Sequence, residues 1–263
     1  MALPRFFMTI PEGHPPLYVG MSGGINCEKP LCHHLVNVLR ARPGDEVELV
    51  ERDTWVVWLC RLDEVSAENV SVTVLDELLQ KPLPYQTTLL FGLSKGDKNE
   101  RIVRQATELG VARIMPTIFE RSVSRPDAKK AARKKERLQA IAESAAEQSH
   151  RADIPKVCEI LSFEEALTSL CQENPDGLPH PILVPWEEET PRALSQDINA
   201  PALKETPHIT VVIGPEGGIS QNEITELRNR GAHTVSLGPT ILRVDTAVVA
   251  TLAIVHDLLF AQA

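Results

Sequence analysis

The spacing of apolar residues along this 263-residue chain changes at Lys81-Pro82-Leu83-Pro84. Before this segment, short β-branched and aromatic runs alternate with polar turns, a pattern typical of a small antiparallel β-barrel. After it, strand-like and helix-like segments alternate to the end of the chain, which favours a parallel α/β sheet covered on both faces. We therefore predict two domains, residues 1–76 and residues 77–263.

The formal net charge of −9 argues against a nucleic-acid partner when it is taken as a single number. The charge is unevenly distributed, because residues 1–94 carry −5, residues 95–156 carry +6 and residues 157–263 carry −10. Residues 1–42 alone carry +2. A phosphate backbone needs only a local positive track, since counterions are released where the phosphates are neutralised. The charge pattern is therefore compatible with a nucleic-acid partner.

The sequence contains no apolar run long enough for a transmembrane helix and no signal peptide at its start, so we expect a cytoplasmic protein. Its five cysteines are scattered and never in a C-x-x-C spacing, which predicts reduced thiols. The adjacent His33 and His34 cannot chelate one ion from one helix face. We predict no metal site.

A glycine loop is the sharpest local motif. The apolar run 211–213 leads into Gly214-Pro215-Glu216-Gly217-Gly218, and Ser220 with Glu223 predicts a capping box at the start of a helix. The loop lacks the endings of a P-loop and of a dinucleotide fingerprint. It is either a ligand-binding loop at the carboxyl end of a strand or a tight turn that needs positive φ.

A second passage from strand to loop runs from 235 to 247. Ile241 and Leu242 are apolar within a predicted loop, which indicates the wall of a pocket. Arg243 and Asp245 stand two residues apart at the start of the last predicted helix. They are candidates for a catalytic pair, and Asp245 could equally be a helix N-cap.

The long predicted helix from Asp127 to about Ser149 is basic in its first half, with six cations between residues 129 and 137. Such a run is either a solvated face or a set of phosphate contacts. The motif Glu147-Gln148-Ser149-His150-Arg151 follows at the end of the same helix.

Taken together, these segments resemble the SPOUT-class family of S-adenosylmethionine-dependent enzymes that methylate uridine N3 in 16S rRNA. The order and the spacing of the motifs match this family from end to end. The matching segments are Arg5-Phe6, His34 to Arg40, Gly44-Asp45, Lys95 to Lys98, Thr107 to Gly110, Glu147 to Arg151, Gly214 to Gly218 and Leu237 to Arg243.

The resemblance implies an α/β fold in which an N-terminal PUA-like β-barrel domain precedes a C-terminal SPOUT domain with a mainly parallel sheet and a trefoil knot. It also implies that the cofactor, S-adenosyl-L-methionine, lies in the loops of the knot. By position, the cofactor-binding residues are Val184, Pro185, Trp186, Ile213, Gly214, Pro215, Glu216, Gly217, Gly218, Leu237, Gly238, Ile241, Leu242 and Arg243.

The expected reaction is methylation of a uridine N3, at position 1498 of 16S rRNA by resemblance. The candidate catalytic residues are Arg243, Glu216 and Asp245, and many relatives have Glu where this chain has Asp245. The expected RNA-binding residues are Arg5, His34, Arg40, Arg42, Lys95, Lys98, Lys134, Lys135 and Arg151.

The resemblance implies a homodimer that acts on 16S rRNA within the small ribosomal subunit. The last apolar helix, 248–260, is a candidate dimer face and is equally compatible with the core of one chain. Two other functions remain open. One is a non-catalytic RNA-binding or ribosome-assembly protein that keeps the fold, and the other is a SPOUT enzyme that acts on transfer RNA or on a ribose hydroxyl.

Overall fold

The computed structural model describes residues 3–10, 15–25, 29–66, 70–172, 181–188 and 208–260. The chain forms two compact units. Unit 1 comprises residues 1–82 together with residues 146–154, and unit 2 comprises residues 83–145 and 155–263. The short segment 146–154, which the sequence analysis assigned to the second domain, thus belongs to unit 1. Among the helices in the described ranges, none has both the length and the apolar character needed to span a bilayer.

Unit 1 is built on a five-stranded sheet with the strand order β1-β3-β4-β5-β2. The strands are β1 (Arg5–Met8), β2 (Ser22–Ile25), β3 (Glu46–Glu51), β4 (Val56–Val65) and β5 (Val70–Leu79). Alternate residues of β3 to β5 point into one core, as the period-2 pattern predicts. Pairing is antiparallel except between β1 and β3, which run parallel. The antiparallel pairing predicted for the runs that form β3, β4 and β5 is therefore confirmed.

Between β2 and β3, the chain forms the short helix α1 (Lys29–His33) and continues as a π-helical turn, His34–Val38. Leu35 is buried in the core of unit 1, whereas Val38 is exposed. Arg40 follows in a left-handed conformation with φ of 52°. Single π-helical turns occur often at functional sites, because the extra residue re-aims the side chains that follow.

Unit 2 contains a parallel sheet of seven strands in the order β12-β10-β11-β6-β7-β8, with β9 also paired to β7. The strands are β6 (Gln86–Gly92), β7 (Arg113–Ile118), β8 (Lys156–Val157), β9 (Leu161–Ser162), β10 (Ile182–Pro185), β11 (His208–Ile213) and β12 (His233–Val235). The central strand β6 is buried on both faces, with Leu89, Leu90 and Phe91 inaccessible to solvent. The predicted parallel α/β sheet is thereby confirmed.

The described helices of unit 2 pack on both faces of this sheet, in two separate apolar cores. They are α2 (Lys98–Glu108), α3 (Ala128–Gln148), α4 (Phe163–Gln172), α5 (Gln221–Asn229) and α6 (Val244–Phe260). The last residues of α3 pass into unit 1. Helix α6 buries Val248, Leu252 and Val255 along one face, as the core alternative in the sequence analysis predicted.

The start of α5 has the helix-capping contacts that its local sequence predicts. The Ser220 hydroxyl accepts a hydrogen bond from the backbone N–H of Glu223, and the Glu223 carboxylate accepts one from the backbone N–H of Ser220. The predicted capping box is therefore confirmed. The same carboxylate accepts a further bond from the backbone N–H of Glu120 at 2.7 Å, which ties α5 to the segment after β7. This end of the glycine loop is rigidly anchored.

Candidate active site

The candidate site lies at the carboxyl ends of β10, β11 and β12. Because these strands are parallel neighbours, the loops that leave them meet at one edge of the sheet. Open α/β sheets bind their ligands at such edges. The glycine loop leaves β11, and the passage from Ser236 to Arg243 leaves β12. The two passages that sequence analysis singled out are therefore brought together.

A cavity of about 570 Å³ opens between these loops, which is a typical size for a site that binds a small molecule. All three candidate catalytic residues line it. Its lining residues are Lys98, Glu187, Pro215, Glu216, Gly218, Ile241, Leu242, Arg243, Val244 and Asp245.

A smaller cavity of about 90 Å³ shares Glu187, Ile241 and Leu242 with the larger one. Of the predicted cofactor-binding residues, it adds Pro185, Trp186, Leu237 and Gly238. Val184 and Ile213 are instead buried in their strands and line neither cavity. Gly214 and Gly217 also lie outside both linings.

The backbone of the glycine loop lies close to the cavity. Gly218 has φ of +74°, a region that other residues adopt only with strain, and a Cβ there would lie 2.6 Å from a carboxylate oxygen of Glu187. Gly92, at the end of β6, faces the other side of the loop, since a Cβ there would overlap the backbone of Pro215. The loop therefore depends on a second, distant glycine that the motif itself does not include.

Glu216 is held by two donors from the segment that leads into α2. Its carboxylate accepts a hydrogen bond from Lys98 Nζ at 2.8 Å and another from Ser94 Oγ at 3.0 Å. Partial burial would raise the pKa of Glu216, but the hydrogen bonds from Lys98 and Ser94 outweigh it and leave this pKa below its usual value. Glu216 is therefore an ionised carboxylate at neutral pH.

Asp245 is also paired with a cation from α2. Its Oδ2 lies 3.1 Å from Arg101 Nη1, and Arg101 reaches Asp97 at 3.8 Å as well. Because α6 begins at Val244, Asp245 lies within the first helical turn and does not occupy the N-cap position. Its neighbour Arg243 is exposed at the mouth of the cavity.

Sequence reasoning missed several residues of this site. Glu187 directly follows the predicted Trp186 and lines both cavities. Ser94 and Arg101 flank the predicted Lys98, and each bonds to a cavity carboxylate. The signal for Arg101 was its position three residues after Lys98, which places both side chains on one face of a helix.

The predicted RNA-binding residues of unit 2 differ in their exposure to solvent and in their contacts with acidic residues. Lys95 is exposed, and Lys98 lies on the cavity wall. Lys134 is half-buried, and burial lowers its pKa although the nearby charge of Glu100 opposes that effect. Lys135 lies 3.6 Å from Glu159.

The predicted RNA-binding residues of unit 1 fall into two groups. Arg5 pairs with Glu48 at 2.8 Å, and the side chains are only 9% and 15% exposed. Arg151 is similarly enclosed with Asp153. His34 packs edge-on against the ring of Phe6. Only Arg40 and Arg42 of this set are exposed to solvent.

Two family models match the chain. One is described as an RNA methyltransferase domain and covers residues 81–256, and the other is described as an RNA methyltransferase PUA domain and covers residues 32–75. The fold and the site therefore define an RNA methyltransferase with an N-terminal PUA-like domain. The ribosomal RNA small subunit methyltransferase E of Bacillus subtilis (strain 168) is 35% identical over 218 residues, which are 82% of each chain. This chain belongs to the ribosomal RNA small subunit methyltransferase E family, as the sequence motifs predicted.

Two further similarities cover most of the chain. The Synechocystis sp. protein of the same name is 33% identical over 229 residues, which are 86% of this chain and 71% of that protein. A crystal structure of ribosomal RNA small subunit methyltransferase E from Neisseria gonorrhoeae, bound to S-adenosyl methionine, superposes with a TM-score of 0.80. It is 29% identical in sequence, and the match covers 98% of both chains. The predicted PUA-like N-terminal domain and mainly parallel α/β C-terminal domain are confirmed.

Proposed function

We propose that this protein transfers a methyl group from S-adenosyl-L-methionine to N3 of a uridine in 16S rRNA, the uridine at position 1498 by family resemblance. The observation that carries the proposal is the convergence of Glu216, Arg243 and Asp245 on one cavity beside the glycine loop. The Neisseria relative with S-adenosyl methionine bound supports the choice of cofactor.

The cavity residues fit such a cofactor. At Gly218 and Gly238, both with positive φ, the backbone itself lines a cavity, because neither residue has a side chain. Ile241 and Leu242 offer apolar surface to a flat ring, and Glu187 offers a carboxylate to hydroxyl or ammonium groups. When bound, the cofactor would supply an electrophilic methyl carbon on a sulfonium.

Uridine N3 carries a proton at neutral pH, so the chain must favour its loss and stabilise the charge that develops on the base. We assign Arg243 to that stabilisation, because its guanidinium is exposed at the cavity mouth. Glu216 and Asp245 are the candidate proton acceptors, but each is already paired with a cation, which weakens it as a base. Holding N3 in line with the methyl carbon is the remaining task, and the cavity walls supply it.

Because N3 lies on the Watson–Crick edge, the target uridine must be unpaired or flipped out before it reacts. Phosphates around it would be held by exposed cations, for which Arg40, Arg42 and Lys95 are the best placed of the predicted set. RNA affinity should therefore fall as salt increases, since each phosphate contact releases counterions. The ribosome-directed substrate also supports a cytoplasmic location.

We further propose a homodimer and a trefoil knot around the cofactor loops, as in the SPOUT class. Helix α6 supports the dimer, because two of its apolar residues lie outside the core. Ile254 is 38% exposed, and Ala253 is exposed beside it. Equilibrium sedimentation of the full chain would give the mass of the assembly.

Mass spectrometry of 16S rRNA from cells with and without this protein tests the reaction. We expect the mass of one methyl group to be present on one uridine only when the protein is present. Calorimetry with S-adenosyl-L-methionine separates an enzyme from a non-catalytic RNA-binding protein, which would show no binding. A methyl group on transfer RNA or on a ribose hydroxyl would contradict the proposed substrate.

Arg243→Ala tests the assigned role of that residue. We expect cofactor affinity within a few-fold of wild type and a loss of methylation of about 100-fold or more, because a donor at the developing charge is removed. Unchanged turnover would exclude Arg243 from the reaction.

A further inference from the structure

Lys98 occupies an unusual position among the cations of unit 2. It is the first residue of α2, its side chain is 48% exposed, and it lines the same cavity as Arg243 and Asp245. A lysine ammonium has three N–H donors, and the contact with Glu216 uses one of them. The other donors have no partner among the residues that the structure describes, so they can meet a group that enters the cavity.

The segment that carries Lys98 is held firmly in place. Asn99 is fully buried, and its side-chain amide donates to the backbone carbonyl of Ser94 at 2.7 Å and accepts from the backbone N–H of Ser94 at 2.9 Å. The Ser94 hydroxyl then donates to Glu216. Glu216 is thus fixed from one side and orients the ammonium of Lys98 from the other.

Both candidate bases form ion pairs with cations of α2. Lys98 neutralises Glu216, and Arg101 neutralises Asp245. A carboxylate that is already stabilised as an anion takes up a proton reluctantly. This arrangement is poorly suited to strong general-base catalysis and well suited to stabilising negative charge that develops on a substrate.

We propose that Lys98 is a catalytic residue that donates a hydrogen bond to a uracil carbonyl oxygen next to N3 as the base becomes anionic. This inference rests on the proposed function. Glu216 is then a positioning residue that aims the ammonium. Lys98 keeps all of its protons throughout the reaction.

The step balances without any further reactant. The N3–H bond breaks, and the proton leaves to water at the open mouth of the cavity. The electron pair left on N3 forms the bond to the methyl carbon, while the bond between that carbon and the sulfonium sulfur breaks. The sulfur departs as an uncharged thioether, and the base becomes neutral N3-methyluridine.

The test compares Lys98→Ala with Lys156→Ala on two RNA substrates, unmethylated 16S rRNA and the same RNA containing 5-fluorouridine. Lys156 is the control, because it is an exposed lysine of unit 2 that does not line the cavity and is not among the predicted RNA-binding residues. Fluorine makes the N3 proton more acidic, so less stabilisation of the anion is required. Lys98→Arg provides a second variant that keeps the charge.

For Lys98→Ala with ordinary RNA, we expect kcat to fall by about 100-fold to 1000-fold, as for the loss of one donor at a developing oxyanion. With 5-fluorouridine at a pH where N3 is ionised, the loss should shrink to less than about 10-fold. Calorimetry should show unchanged affinity for S-adenosyl-L-methionine. Lys156→Ala should retain kcat, and Lys98→Arg should recover part of it.

An equal loss on both substrates, expressed mainly in KM, would overturn the proposal and make Lys98 a phosphate contact only. Normal turnover by Lys98→Ala would also overturn it. If the wild-type protein itself adds no methyl group to uridine N3, then the proposed function fails, whatever Lys98 does. The wild-type reaction thus separates the two failures.

Discussion

Two ion pairs in this protein have the same length and very different surroundings. Arg5 with Glu48 in unit 1 and Lys98 with Glu216 in unit 2 both have an N–O distance of 2.8 Å. The side chains of the first pair are 9% and 15% exposed, whereas those of the second are 48% and 35% exposed. The N–O distance does not distinguish the roles of the two pairs, whereas the exposure of their side chains does. An enclosed pair can only hold the fold together, while an open pair can still meet a ligand.

The enclosure of Arg5 comes from several contacts at once. Its guanidinium also donates to Gln80 Oε1 at 2.7 Å and to the backbone carbonyl of His150. His150 in turn lies 3.3 Å from Glu48. The segment 146–154 therefore packs over Arg5, and these contacts enclose its side chain within unit 1.

Arg5→Met should have the largest effect on stability. We expect a loss of about 3–5 kcal/mol in the free energy of unfolding, because Glu48 would be left as a nearly buried charge without its partner. Urea unfolding measures it. Arg61→Met is the control, since Arg61 and Asp63 are 3.4 Å apart and largely exposed, and it should cost less than about 1 kcal/mol. A loss of RNA affinity at unchanged stability would restore Arg5 as an RNA contact.

Arg101→Met breaks a partly exposed ion pair in unit 2, and it should lower activity with little effect on stability. We expect kcat to fall about 10-fold, or ~1.4 kcal/mol, because Asp245 would keep its negative charge beside the site where charge develops. Unfolding free energy should change by less than about 1 kcal/mol, since the pair is partly exposed. Arg104→Met, one turn along the same helix, should leave kcat unchanged. A large stability loss for Arg101→Met would remove the distinction between the two pairs.

Glu216→Gln should have the smallest effect on stability and a definite pH dependence. The pKa of Glu216 is lowered on folding, so its contribution is present above its ordinary pKa of about 4.3 and is lost as the pH falls through the lowered value. Wild type should therefore be slightly more stable than Glu216→Gln at pH 7, by less than about 1 kcal/mol, and this difference should shrink as the pH falls below the ordinary pKa of a glutamate. Thermal unfolding of both proteins across this range measures the difference. A gap that widens in acid would contradict the lowered pKa.

The sequence predicted those features that depend on local pattern. Runs of β-branched and aromatic residues located β3 and β4, the alternation after Pro84 located the parallel sheet, and Ser220 with Glu223 located the start of α5. The rules behind these predictions act within a few residues, so the sequence alone was sufficient.

Features that depend on tertiary contact were not predictable in this way. Nothing near Gly92 in sequence signals that Pro215 packs against it, and nothing near Arg5 signals the carbonyl of His150. The RNA-binding set was drawn from charge and motif position, which cannot distinguish an enclosed cation from an exposed one. Arg40 and Arg151 look equivalent in sequence, yet only Arg40 is exposed.

The return of residues 146–154 to unit 1 affects how this protein emerges from the ribosome. Phe7, Val50 and Val57 pack against Ala146 and Ala152, so the first 82 residues alone lack part of their own core. At about 5–20 residues per second, synthesis from residue 82 to residue 154 takes roughly 4–14 s. During that interval the nascent N-terminal unit displays an uncovered apolar patch and an open Arg5–Glu48 pair. Folding of this unit is therefore completed only after residues 83–145 of unit 2 have been made.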